Sequence, residues 1–155
     1  MNKNYLIYLD VCCLNRPFDD QTQDRVRLET ESIIIIINKC KINNWQLVTS
    51  NAIETEIAKI SNREKLKQII EILSLATIRI LVNETIAQRT LELNQLGFSA
   101  YDAAHIASAE YGKVDILLTT DDRLLNRSLR YTDIIKVQLA NPLYWITNFT
   151  EKKGD

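Results

Sequence analysis

At 155 residues, with 46% hydrophobic and 25% charged side chains, the chain has the make-up of one globular domain whose core needs no covalent or metal staples. A net charge of -1 excludes a global electrostatic pull toward nucleic acid, so any such binding has to use a local basic patch. Three cysteines, with Cys12 and Cys13 adjacent, give neither a disulfide framework nor a CxxC spacing, and the scarcity of Gly and Pro argues against a many-turned β-sandwich.

Met1 to Tyr5 leads into a short apolar run with no cleavable signal pattern, and Ile33 to Ile37 is far too short to span a bilayer; a reducing cytoplasm is the expected compartment. Tyr5 to Leu9 is a continuous apolar run of strand length that ends at Asp10, as in a strand buried on both faces. Asn15 to Asp24, with Pro17, reads as a loop. Arg25 to Lys41 reads as a helix able to bury Val26, Leu28, Ile33, Ile36, Ile37 and Cys40, although its isoleucines also favour strands. Trp45 to Thr49 is a second strand, and helices follow at Ala52 to Ile60 and Arg63 to Ala76. Thr77 to Val82 is a third strand. Glu84 to Leu96 is a helix closed by Gly97, and the helix carrying Asp102 ends near Gly112 in the same manner. Asp115 to Thr120 is a fourth strand, Asp122 to Tyr131 a helix, Ile134 to Ala140 a last strand, and Pro142 to Phe149 a helical turn. Strands alternating with helices imply βαβ units and a parallel, doubly covered sheet. One domain over residues 1–150 is expected, with 151–155 a frayed tail.

Ligands in open α/β sheets bind at the carboxyl ends of the strands. Asp10 lies there on the first strand, Asp121 and Asp122 on the fourth, and Glu54 and Glu56 in the helix after the second. Asp102 opens the alanine-rich helix before the fourth strand, where a lone acid beside apolar surface needs a reason. Each acid also has a structural reading. Asp10 could cap a turn, and Ser99-x-x-Asp102 and Thr119-x-x-Asp122 both match a capping box. Asn51-x-x-Glu54 looks like an N-cap with its partner, which accounts for Glu54. Glu56 borders the inward face formed by Ile53, Ile57 and Ile60, so it is the better site candidate. Carboxylates gathered at one edge repel unless a cation intervenes. With few nitrogen or sulfur ligands nearby, a hard ion such as Mg²⁺ or Mn²⁺ is the natural partner, and metal-assisted phosphodiester hydrolysis is the chemistry this suggests.

Tyr8-Leu9-Asp10, Ser50 with Glu56-Ile57, Tyr101-Asp102-Ala103-Ala104-His105-Ile106-Ala107-Ser108-Ala109, and Leu117-Leu118-Thr119-Thr120-Asp121 together resemble the ordered motifs of PIN-domain ribonucleases, whose best-known small members are the VapC-type toxins. The resemblance runs from Tyr5 to about Tyr131. It implies a three-layer α/β/α sandwich with a central, mainly parallel sheet, and a Mg²⁺- or Mn²⁺-dependent endonuclease acting on single-stranded RNA. It implies that Asp10, Glu56, Asp102 and Asp121 are the catalytic, metal-holding acids, Asp10 and Asp102 as direct ligands. Asp122 leaves the fourth position open by one residue. The chain departs from the pattern at Cys12, where the family often has Ser or Thr. An antitoxin protein and a homodimer are the partners to look for, and the Ile33 to Ile37 run suits either as well as the core.

Arg123, Arg127 and Arg130 share a helix face and could grip RNA phosphates; a solvated surface explains them equally. Arg16 is a weaker candidate of the same kind. His105, the only histidine, reads as a packed or supporting residue rather than a general base. Cys12 and Cys13 read as packing residues, and Tyr144 and Trp145 as packing rather than base-stacking groups. A non-catalytic RNA- or protein-binding module on the same fold is the alternative function. A flavodoxin-like nucleotide binder is disfavoured for want of a Gly-rich loop.

Overall fold

The computed structural model describes residues 4–42 and 44–154. Five strands form one sheet: β1 (Leu6–Leu9), β2 (Gln46–Ser50), β3 (Ile78–Ile80), β4 (Ile116–Leu118) and β5 (Leu139–Ala140). Their order is β3-β2-β1-β4-β5 and every pairing is parallel. Ile7 lies between Leu47 on β2 and Ile116 on β4, and all three are buried. The apolar run of β1 thus has its cause in central placement, since a parallel strand covered on both faces has no solvent side. At the edge, β3 alternates, with Arg79 exposed between Ile78 and Ile80.

The helices are α1 (Val11–Asn15), α2 (Asp24–Lys41), α3 (Asn51–Ile57), α4 (Arg63–Leu73), α5 (Glu84–Gln95), α6 (Ala100–Tyr111), α7 (Asp122–Arg130) and α8 (Pro142–Gly154). Chain direction across the sheet reverses between β1 and β4. Right-handed crossovers therefore place α2 and α4 on one face and α5, α6 and α7 on the other. Helix α8 packs on α2, α5 on α6, and α3 reaches α6. The result is an α/β fold with helices on both sides of a parallel sheet, as expected.

The isoleucine run of α2 divides by helical periodicity: Ile33, Ile36 and Ile37 are buried, whereas Ile34 and Ile35 are exposed. Leu28, expected inside, is also exposed. Tyr5, Trp45, Trp145 and Phe149 form an aromatic cluster of edge-to-face and tilted ring pairs with centroid separations of 5.2–5.9 Å. It fastens α8 at the amino ends of β1 and β2, away from the acids. Trp145 is a packing residue there, while Tyr144 is exposed.

Several local expectations are corrected. The loop expected from Asn15 is preceded by α1 and opens with a 3₁₀ turn over Arg16–Phe18. Of the strand expected over Ile134 to Ala140, only Leu139–Ala140 pairs. The last helix continues to Gly154, beyond the turn expected to end at Phe149 and into the expected tail; Asp155 lies outside the described residues. Gly97 follows α5 with φ 103°, the left-handed position expected of it. Gly112 does not repeat this: its φ is -77° and Lys113 takes φ 53° instead. Gly112 answers a different need, because a Cβ there would collide with Ile80 Cδ1. Among the described residues, no helix is long and apolar enough to cross a membrane.

Candidate metal centre

The reversal between β1 and β4 opens a crevice at the carboxyl ends of those strands, the place where open α/β sheets bind ligands. Asp10 leaves β1 there. Its backbone N–H bonds to Leu118 O at 3.0 Å, extending the β1–β4 pairing by one residue. Its carboxylate caps α1 by accepting from Val11 N at 2.7 Å. Oδ2 accepts from Thr119 Oγ1 at 2.8 Å and from the Cys12 thiol at 3.3 Å. Asp10 is buried, and three donors hold its charge in one orientation. Cys12 also accepts from Thr120 N at 3.2 Å. The hydroxyl missing from position 12 is thus supplied by Thr119, which no local pattern around Asp10 could reveal.

Glu56 sits on the last turn of α3 and faces Asp10 across His105. His105 Nε2 lies 2.7 Å from Glu56 Oε1 and 3.8 Å from Asp10 Oδ1. Its Nδ1 lies 2.7 Å from the Tyr8 hydroxyl, which lies 2.7 Å from Ser50 Oγ. One potential ligand atom from each of Asp10, Glu56 and His105 falls within 4.8 Å of the others. Ser50, not Asn51, caps α3, accepting from Ile53 N at 3.2 Å. Asn51 instead accepts from Val82 N, and Glu54 forms a two-armed ion pair with Arg79 at 2.7 Å. The expected Asn51 cap is corrected, and Glu54 is engaged outside the crevice.

Asp102 enters from α6. Ser99 caps that helix by accepting from Asp102 N at 3.1 Å. Ala103, Ala107 and Ala109 are buried, so the helix lies close to its neighbours and carries its first turn to the crevice. Burial, then the nearby Asp10 and more weakly Asp121, push the Asp102 carboxyl up to about 6, against the opposing Ser99 hydrogen bond.

Asp121 and Asp122 separate by partner. Asp121 caps α7, accepting from Arg123 N at 2.9 Å, and its own N–H bonds to Thr119 Oγ1. It is exposed, and its charge reaches Asp102. Asp122 is clamped by both arms of Arg25, at 2.7 and 2.8 Å, which holds its carboxyl below the ordinary range. Arg25 also donates to Thr120 O and to buried Glu29, which binds Arg16 and Asn141 as well. Arg16 is therefore part of an internal clasp beneath the β4–α7 loop.

Arg123, Arg127 and Arg130 line, with Asn126, a groove of about 220 Å³. Arg127 crosses Gly97, where a side chain would collide with its guanidinium. No carboxylate among the described residues pairs with these arginines.

Asp10 and Glu56 supply hard oxygen donors beside His105, and Asp102, its carboxyl raised chiefly by burial and then by the charge of Asp10, lies near enough to Asp10 to add another. A hard divalent cation fits that donor set. His105, read in the sequence as a packed or supporting residue, is buried with both ring nitrogens facing polar partners, three residues after Asp102.

The fold and the acids define an α/β protein with a candidate divalent-metal site at its switch point. No family model and no curated protein matches the chain. Solved structures do match. The chain is similar to one in VapBC-1 from nontypeable Haemophilus influenzae, with TM-score 0.57 and 16% identity over 88% of this chain and 98% of that one. It is also similar to one in VapBC2 from Rickettsia felis bound to a DNA fragment from their promoter, with TM-score 0.51, 16% identity and the same coverage. The chain shares the fold of these chains.

Proposed function

We propose that the protein is a Mg²⁺- or Mn²⁺-dependent, single-strand-specific endoribonuclease and the toxin of a type II toxin–antitoxin pair, acting in the cytoplasm as a single domain over residues 1–150. The observation that supports this reading is the grouping of Asp10 and Glu56 around His105 at the switch point, with Asp102 close enough for the charge of Asp10 to add to burial in raising its pKa. Asp10 and Asp102 would hold the cation, with Glu56 and Asp121 completing the site directly or through water. When bound, the cation offsets negative charge on the phosphodiester and makes water a better nucleophile. Thr119, Cys12 and Val11 N–H keep Asp10 from turning away. Arg123, Arg127 and Arg130 give the RNA backbone a cationic groove whose charges have no internal use. Both similar structures are named as VapBC assemblies, which supports a protein antitoxin as the partner of this chain.

The rival reading, a binding module without catalysis, takes support from Cys12 in place of a hydroxyl residue and from the absence of a basic excess; Thr119 gives Asp10 a hydroxyl, which weakens the first of these grounds. Incubation with single-stranded and duplex RNA, with Mg²⁺, Mn²⁺ or EDTA, tests the proposal. Internal cleavage of the single strand is expected only with metal, and Asp102→Asn is expected to abolish it. A folded Asp102→Asn protein that still cuts, or cutting that persists in EDTA, would refute the site.

A further inference from the structure

A buried chain of hydrogen bonds runs from the N-cap of α3 through the core to the acids, and its proton directions can be worked out. Ser50, fully buried, already accepts from Ile53 N–H. Its other partner among the described residues is the Tyr8 hydroxyl at 2.7 Å, so the one Ser50 proton goes to Tyr8. Tyr8 then gives its proton to its remaining partner, His105 Nδ1, at 2.7 Å. Burial pushes the Tyr8 phenol far above its ordinary range, which keeps it a donor. A ring nitrogen that accepts carries no proton, so the proton of neutral His105 is on Nε2, facing Glu56 Oε1 at 2.7 Å. The far end of the chain demands the same answer. An unprotonated Nε2 would set its lone pair against a carboxylate oxygen at that distance. The reversed chain would also strand the Ser50 proton at a buried site.

We propose that His105 is a positioning residue: the Ser50–Tyr8 chain locks it as the Nε2–H tautomer, and it orients the Glu56 carboxylate toward Asp10 without itself binding the metal. The ring is 1% exposed and wedged edge-on to Tyr8 at 5.6 Å, so it has little freedom to do otherwise. With Nε2 spent on Glu56 Oε1, the second Glu56 oxygen is left for the cation, and the ligand set is oxygen alone. Tyr8 and Ser50 become part of the site's machinery although neither touches the crevice. The inference rests on the proposed function in taking Asp10 and Glu56 as ligands of a divalent cation, for which Mn²⁺ is the probe; the tautomer does not depend on it.

The chain has one histidine, so long-range ¹H–¹⁵N spectra of the full, untagged protein report His105 without ambiguity. In metal-free protein at neutral pH, Nε2 is expected with the shift of a protonated nitrogen and Nδ1 with that of an unprotonated one. The opposite assignment overturns the proposal, and this needs no variant to fold. Mn²⁺ titration of Tyr8→Phe and His105→Leu, each shown to melt cooperatively, is expected to give affinity weaker by roughly 10- to 100-fold. His105→Gln, which keeps an N–H donor near Nε2, is expected to recover most of it. Unchanged Mn²⁺ affinity in His105→Leu overturns the role, as does a directly bound ¹⁴N coupling to Mn²⁺ in pulsed EPR. If the tautomer and the affinities come out as expected while no RNA is cut, the nuclease reading fails and the positioning role stands.

Discussion

Replacing Asp102 by Asn should make the metal-free protein more stable while destroying its proposed activity. The carboxyl's pKa rises from its ordinary 3.8 to about 6 on folding, so folded protein holds this proton more tightly than unfolded chain. Stability tied to Asp102 is therefore fully present below about pH 4 and is lost as pH rises through 6. At about 1.4 kcal/mol per pH unit the loss is roughly 3 kcal/mol at most, and partial solvent screening reduces it to about 1–2 kcal/mol. Asparagine has the same shape and no charge to expel. At pH 7.5 in EDTA, Asp102→Asn should gain about 1–2 kcal/mol, or roughly 3–6 °C in Tm for a chain of this size. Near pH 4 the two proteins should converge. Urea denaturation followed by circular dichroism at pH 4, 5, 6 and 7.5 measures this directly. Adding Mn²⁺ at a hundred times its Kd should return about 2.7 kcal/mol to the wild type and far less to the variant. If Asp102→Asn is no more stable than wild type at pH 7.5, the carboxylate is not crowded and the electrostatic case for the metal site collapses.

Asp121→Asn keeps an equally good α7 cap, so it should fold normally while RNA cleavage falls by roughly tenfold or more. Asp122→Ala removes only an exposed partner of Arg25, should cost under about 1 kcal/mol, and should leave cleavage unchanged; equal losses in the two variants would contradict the assignment to Asp121. Substituting Arg123, Arg127 and Arg130 together by Gln should weaken RNA binding and flatten the plot of log affinity against log salt by up to about 2, at roughly 0.7 per lost phosphate contact. Glu29→Gln, which removes the buried carboxylate shared by Arg16 and Arg25 while each keeps a second acidic partner, should cost about 1–3 kcal/mol in urea denaturation.

The order of strands and helices was legible because β1 and β4 are uninterrupted apolar runs and the helices between them carry clear periodicity. Legibility failed where the cause was tertiary. Helix α1 is five residues long, too short for a periodic signal, and owes its start to the Asp10 carboxylate. Most of the β-branched run at Ile134 to Ala140 stays unpaired because only Leu139 and Ala140 meet β4. Among the acids, spacing alone could not separate Asp121 from Asp122, whose different partners depend on Arg25, nearly a hundred residues away in sequence. The Thr119 support of Asp10 and the Tyr8 support of His105 span 109 and 97 residues, and a reading of local motifs has no access to either.

The same distinction decides how Asp102 should be read. An acid in the first turn of a helix, three residues after a serine N-cap, meets the positive end of the helix dipole and a capping hydroxyl, and both favour its charged form. A residue placed there only to cap would have a pKa below the ordinary carboxylate value. The Asp102 pKa goes the other way, to about 6, because burial and the charge of Asp10 outweigh Ser99. Capping is already accomplished by Ser99 Oγ and the Asp102 backbone N–H, and needs no carboxylate. The side chain is thus held, at a cost in stability, beside another acid by a helix whose buried alanines permit the approach. A cation between Asp10 and Asp102 would turn that cost into binding energy, which is why the stability of Asp102→Asn and the metal response of the wild type must be measured on the same protein.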